Sequence, residues 1–148
     1  MRTVVLRGCD PSRRLLRVHT DWRAGKVAEI AADSRISILA YDLGQKIQVR
    51  LQCKASIHRE GPLWERAWAE TRPFSRECYR VVDSSAAELA APEEAVFDAA
   101  QTNDGADNFC VLLAEAHSLE WLYLAAKGHR RARFIWDGKQ WAGSWLVP

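Results

Sequence analysis

KIQVRLQCKASIHR, residues 46–59, alternates apolar and polar side chains along its length. Ile47, Val49, Leu51, Cys53, Ala55 and Ile57 fall on one side, and Gln48, Arg50, Gln52, Lys54 and Ser56 on the other. A period of two belongs to a strand, because successive side chains leave a pleated backbone in opposite directions. One apolar and one polar face mark an antiparallel strand with a single buried side. A strand this long needs partners on its edges, so the flanking sequence has to supply them.

It does. RISILAYD (35–42) is a strand just before it; TVVLR (3–7) and LLRVHT (15–20) are two more, joined by the turn-rich GCDPSRR. KVAEIAADS (26–34) spaces Val27, Ile30 and Ala31 as a short helix, and GPLWERAWAET (61–71) starts a second helix with a proline. FCVLLAEAH (109–117) and LEWLYLA (119–125) read as two strands, and the chain ends in a hairpin turned by Asp137-Gly138. Residues 82–108, rich in Ala and acids, are expected to form a loop, a short helix near 92–100 and a mobile turn. The sum is a mainly β (β+α) chain with six to eight antiparallel strands and two or three short helices, closed or partly closed into a barrel. No internal repeat interrupts residues 1–148, which read as a single domain.

Composition narrows the function. The chain carries 21 Lys and Arg against 19 Asp and Glu, but unevenly: residues 1–30 and 121–148 are basic, while 61–120 are acidic. Basic ends brought together suit a small anionic ligand better than a long polyanion, which wants one broad basic face. No apolar run is long enough to span a bilayer as a helix, and no signal peptide is visible. The four cysteines form no CxxC pair and have no metal-ligand spacing with the four histidines. They read as free thiols in a reducing, cytoplasmic setting, with no metal site.

HTDWRAGKV, residues 19–27, sits where a strand hands over to a helix. His19 and Thr20 are followed by two cations, Arg23 and Lys26. A helix start offers free N–H groups and the positive end of the helix dipole, which is a setting for phosphate.

In order and spacing, Arg2-Thr3-Val4-Val5-Leu6-Arg7, His19-Thr20, Lys26, Gln48-Val49-Arg50, Arg72-Pro73 with Ser75, and Arg133-Phe134 resemble the pyridoxamine 5′-phosphate oxidase-like proteins, the FMN-binding split barrels. The resemblance covers about residues 2–82 and 109–148. It implies an FMN-binding split β-barrel, an FMN-dependent oxidoreductase acting on a small molecule, and a homodimer with FMN at the subunit interface. It implies that Arg2, Arg23 and Lys26 surround the phosphate. Thr20 and His19 would contact the ribityl side, and Thr3 to Leu6 would lie along the ring. Gln48, Tyr123, Arg133 and a loosely aligned Ser84 (with Ser85 beside it) would touch the flavin. Substrate contacts fall on Arg7, Trp68, Arg72 and His129, with Ser75 one position from a family serine.

The departures lie on the substrate side. Trp68 stands where the B6 oxidases have a phosphate-binding tyrosine, and His129 where they have an arginine. The helix that usually precedes the first strand has almost no counterpart ahead of Arg2. Vitamin B6 oxidation is therefore not the expectation. Two other readings remain at this point: a flavin- or haem-binding carrier or sensor without turnover, and a nucleic-acid-binding barrel, which the acidic middle disfavours. The seven tryptophans suit an interface or a barrel core equally.

Overall fold

The computed structural model describes residues 1–96 and 104–148. Among these described residues, seven strands join one sheet: β1 (Leu6–Asp10), β2 (Leu15–Asp21), β3 (Arg35–Asp42), β4 (Ile47–His58), β5 (Phe109–Tyr123), β6 (Arg130–Trp136) and β7 (Trp141–Leu146). The helices are α1 (Gly25–Ala32), α2 (Gly61–Glu70) and the one-turn α3 (Pro73–Arg76). Every strand pairing is antiparallel.

The alternating stretch 46–59 is the centre of this arrangement. β4 pairs with β3 on one edge and with β5 on the other, from Ile47 opposite Tyr123 to His58 opposite Val111. Leu51, Cys53 and Ala55 are buried, as the alternation requires, and pack with Val18, Ile30, Leu112, Ala114 and Ala116. A second cluster forms on the other face of β5, where Ala67 of α2, Phe109 and Val111 are buried beneath Trp64, Trp68 and Tyr79.

β5 makes the barrel split. Along one edge it stays with β4; along the other, its first half (109–115) pairs with β2 and its second half (118–123) with β6. Between the halves the register slips: Gln52 faces Ser118 but Cys53 faces Ala116, leaving His117 as a bulge. That slip is why the sequence reads as two strands, 109–117 and 119–125, where the structure has one; a bulge resets the alternation without ending the strand. Arg14, in a left-handed conformation at φ 57°, plugs the changeover. Its carbonyl accepts from Ala116 N–H at 2.9 Å, its Nε donates to Ala116 O at 3.1 Å, and its guanidinium lies 4.0 Å from the Trp136 ring centroid.

Two other expectations shift. The first strand runs Leu6–Asp10, not 3–7, because Leu6 is the first residue with a partner, Val18. Of the helix expected near 92–100, Pro92–Glu94 form a single 3-10 turn, and 97–100 lie outside the described residues, as do 101–103 of the turn after it. No helix among the described residues is long and apolar enough to cross a membrane.

Candidate functional site

α1 begins without a side-chain cap and without an acid in its first turn; Val27 N–H donates to the Ala24 carbonyl at 2.8 Å, and the positive end of the helix dipole lies at exposed Gly25. Arg2 reaches this corner from the other chain segment. Its guanidinium nitrogens lie 3.8 Å from the position a Cβ on Gly25 would take, and the same guanidinium pairs with Glu29 one turn along the helix. Lys26 Nζ donates to Thr20 Oγ1 at 2.8 Å; Thr20 is buried on β2. Arg2, Lys26, Thr20 and the helix start thus converge, and a group with several acceptor oxygens and negative charge fits them.

Arg23, the other expected clamp residue, is committed elsewhere. Nε and Nη2 donate to the Asp21 carboxylate at 3.1 and 2.7 Å, and Nη1 and Nη2 donate to the carbonyls of Val82 and Val81 at 2.7 and 2.9 Å. It ties the β2–α1 turn to the segment that follows α3. Beside that tie lies a cleft of about 490 Å³, lined in part by Asp21, Phe74, Val81, Ser84 and Leu89. Ser84 is half-buried there, and Ser85 is exposed on its rim.

His19 and Thr20 leave β2 in opposite directions, as neighbours on a strand must. Thr20 faces Lys26, whereas the His19 ring packs edge-on against Phe109, with centroids 5.0 Å apart. Burial first, then the nearby Arg17 and Arg7 guanidinium groups, push the His19 pKa down to about 4, and its buried Nε2 has no hydrogen-bond partner among the described residues.

The expected substrate residues divide. Arg7 is exposed on β1 and close enough to influence His19 and Tyr79. Trp68 is half-buried among Trp64, Tyr79 and Phe109. Arg76, which no periodicity in the sequence singles out, covers it at 4.4 Å and donates to the Trp68 and Thr71 carbonyls. Arg72 is exposed ahead of α3 and Ser75 half-buried within it. His129 is exposed in the β5–β6 turn, at the far end of β5 from Phe109.

Thr3, Val4, Val5 and Leu6 are all exposed, Val5 at 61%, an apolar run open to solvent beside Arg2. Gln48 and Arg133 sit on the outer face of the sheet. Gln48 is paired with Leu122, and Arg133 with Glu120. Tyr123 points to the other face and stacks on Trp121, centroids 6.1 Å apart, so Leu122 is the β5 neighbour that shares the face of Gln48. Among the described residues no group of three or more His, Cys, Asp or Glu side chains could hold a metal.

The profile of the family described as pyridoxamine 5′-phosphate oxidase, FMN-binding domain, matches residues 1–59, the segment that contains the Arg2–Lys26 corner and β4. Over those residues the chain is similar to that family. Solved structures agree on the fold across nearly the whole chain. A pyridoxamine 5′-phosphate oxidase-related, FMN-binding protein from Nostoc punctiforme superimposes with a TM-score of 0.82 at 20% identity, covering 99% of this chain and 80% of that one. PhzG from Burkholderia lata, solved in complex with tetrahydrophenazine-1-carboxylic acid, gives 0.77 at 20% identity, covering 99% and 74%. No match is found among the curated proteins.

Proposed function

We propose that this split barrel binds FMN and acts as an FMN-dependent oxidoreductase on a small molecule. The observation that carries the reading is the positive corner at the start of α1. There Arg2 lies over Gly25 while Lys26 is held on Thr20 beside an uncapped helix. Phosphate would bind there, and the exposed Val4-Val5-Leu6 run would gain an apolar partner in the flavin ring. FMN supplies hydride chemistry when bound; the chain's own residues hold and orient it.

The spacing of the same residues supports a homodimer. Lys26 is fixed to Thr20, which pairs with Cys110, whereas Gln48 pairs with Leu122, further along the same strand. At the rise of an extended strand that separation is about 40 Å, longer than one mononucleotide. Two copies, each contributing one end, would bring both sets to a single flavin. Exposed Leu39, Tyr41 and Ile135 on the sheet's outer side supply apolar surface for such a contact. The free cysteines favour a reducing, cytoplasmic setting.

For substrate, the half-buried Trp68 offers no hydroxyl to a second phosphate, and the exposed Arg72 could hold one carboxylate. A flat molecule with a single acidic group fits better than a B6 phosphate, and the ring-fused carboxylic acid bound by PhzG is of that kind. The test is an absorbance spectrum after incubation with FMN and gel filtration, followed by addition of NAD(P)H and air. Retained flavin that is reduced and reoxidised supports the enzyme. Retained flavin that never cycles supports the carrier, and no retained flavin overturns both.

A further inference from the structure

Gln48 and Arg133 stand at diagonal corners of one patch on the outer face of β4, β5 and β6. One cross-strand row is Gln48, Leu122 and Arg131; the next is Arg50, Glu120 and Arg133. Directly opposed side chains in a sheet share a face, so all six emerge together. With strands about 4.8 Å apart and rows about 6.6 Å apart, the diagonal is roughly 12 Å, the scale of a flavin ring system.

Three of the six are arginines, and one carboxylate stands among them. Glu120 Oε2 accepts from Arg131 Nη2 at 2.6 Å and lies 3.9 Å from Arg50 Nη1. Arg133 is exposed and has no hydrogen bond or ion pair among the described residues. Glu120 is held below the ordinary carboxylate range, first by the Arg131 hydrogen bond and then by the charges of Arg131, Arg50 and Arg133. It is therefore ionised at neutral pH, and with the three guanidinium groups it leaves the patch at a formal net +2. An ordinary sheet surface would have no need to place arginines in adjacent rows around a single acid, since like charges so close repel.

We infer that Glu120 is a positioning residue for the flavin: it holds Arg131 and Arg50 in place and sets the net positive charge that the Gln48–Arg133 patch presents to the ring. The inference rests on the FMN reading above and adds to it the residue that regulates the cofactor's electrostatics. A hydride delivered to a flavin brings its negative charge with it, so cations at the ring's polar edge favour the reduced form and an acid among them opposes it. Glu120 keeps three arginines from making the flavin too strong an oxidant.

The test uses the full chain reconstituted with FMN. Midpoint potentials are measured by spectroscopic titration against a reference dye, with thermal melting recorded in parallel. Glu120→Gln removes a negative charge and is expected to raise the potential. Arg50→Gln and Arg131→Gln each remove a positive charge and are expected to lower it, and Glu120→Asp should stay near the parent. A purely structural salt bridge would change melting in all these variants without opposite shifts in potential. Unchanged potentials, or shifts of one sign throughout with FMN still bound, overturn the inference alone. If Glu120→Gln does not fold, the two arginine variants decide it: both must fall. Failure of the parent protein to take up FMN removes the underlying function reading as well, and the two failures are thus told apart.

Discussion

Arg23 closes on Asp21, two residues before it, with Nη2 2.7 Å and Nε 3.1 Å from the two carboxylate oxygens. The carboxylate is itself only 9% exposed, and the remaining Arg23 donors reach the carbonyls of Val81 and Val82. Most of this guanidinium's N–H donors are thus engaged. Arg23→Ala would strand a mostly buried carboxylate and two carbonyls, at a cost of about 3 kcal/mol, the range for breaking a buried pair. Urea denaturation should show the midpoint falling with the slope unchanged. Arg23→Ala that weakens FMN binding but leaves stability intact would return this residue to the phosphate clamp.

Arg2 and Lys26 should behave in the opposite way. Both lie at the open corner of α1, and neither side chain supports a core cluster. Lys26→Ala and Arg2→Ala are each expected to weaken FMN binding by roughly 10- to 100-fold, the equivalent of one charge-assisted hydrogen bond of about 1.5–3 kcal/mol. The apo-protein's melting transition should stay cooperative. Fluorescence titration with riboflavin provides the control: the parent protein should prefer FMN strongly, and each variant should lose most of that preference. Equal affinity of the parent for both ligands would dispose of the phosphate corner.

How much of this was legible beforehand follows from what each residue's environment depends on. The buried side of β4 was readable because alternation is local: the buried Leu51, Cys53 and Ala55 are three of its six apolar positions. The continuity of β5 was not, since His117 breaks the period by bulging and only pairing with β4 shows that the strand continues. The α1 corner was readable because Arg2, Thr20 and Lys26 occupy recognisable positions near a strand–helix handover. The commitment of Arg23 to Val81 and Val82 was hidden, because nothing in a sequence says which distant carbonyls a guanidinium will meet. The Arg50–Glu120–Arg133 row was equally hidden, since it exists only once three strands are in register.

His19 gives the fold a defined acid sensitivity. Its native pKa of about 4 lies below the 6.5 of an unfolded chain, with burial the largest cause and Arg17 and Arg7 next. Between those values the unfolded chain takes up a proton that the native state refuses, so stability falls as pH drops from 6.5 towards 4 and this contribution is fully lost below. After allowance for the ring's partial exposure the loss is about 1–2 kcal/mol. His19→Phe keeps the contact with Phe109 and removes the titration, so its stability curve should be flatter across that window than the parent's. Parallel curves for the two proteins would show that His19 does not carry the effect.

The substrate side yields the most consequential outcome. The resemblance puts Trp68 and His129 where the B6 oxidases have a tyrosine and an arginine that help to hold the substrate phosphate. Trp68 is packed against Trp64, Tyr79 and Phe109 and covered by Arg76, so it gives an apolar wall and no hydroxyl. His129 lies in the β5–β6 turn, at the opposite end of β5 from Phe109. An imidazole in place of a guanidinium also gives up a bidentate, permanently charged anchor. Pyridoxine and pyridoxamine phosphates should therefore be poor substrates, whereas flat monocarboxylates should shift the bound-flavin spectrum and lose that effect in Arg72→Ala. Steady-state peroxide assays with both B6 phosphates check the point: turnover of either near 1 s⁻¹, about the low end of ordinary enzymes, with a micromolar KM would restore the B6 oxidase assignment.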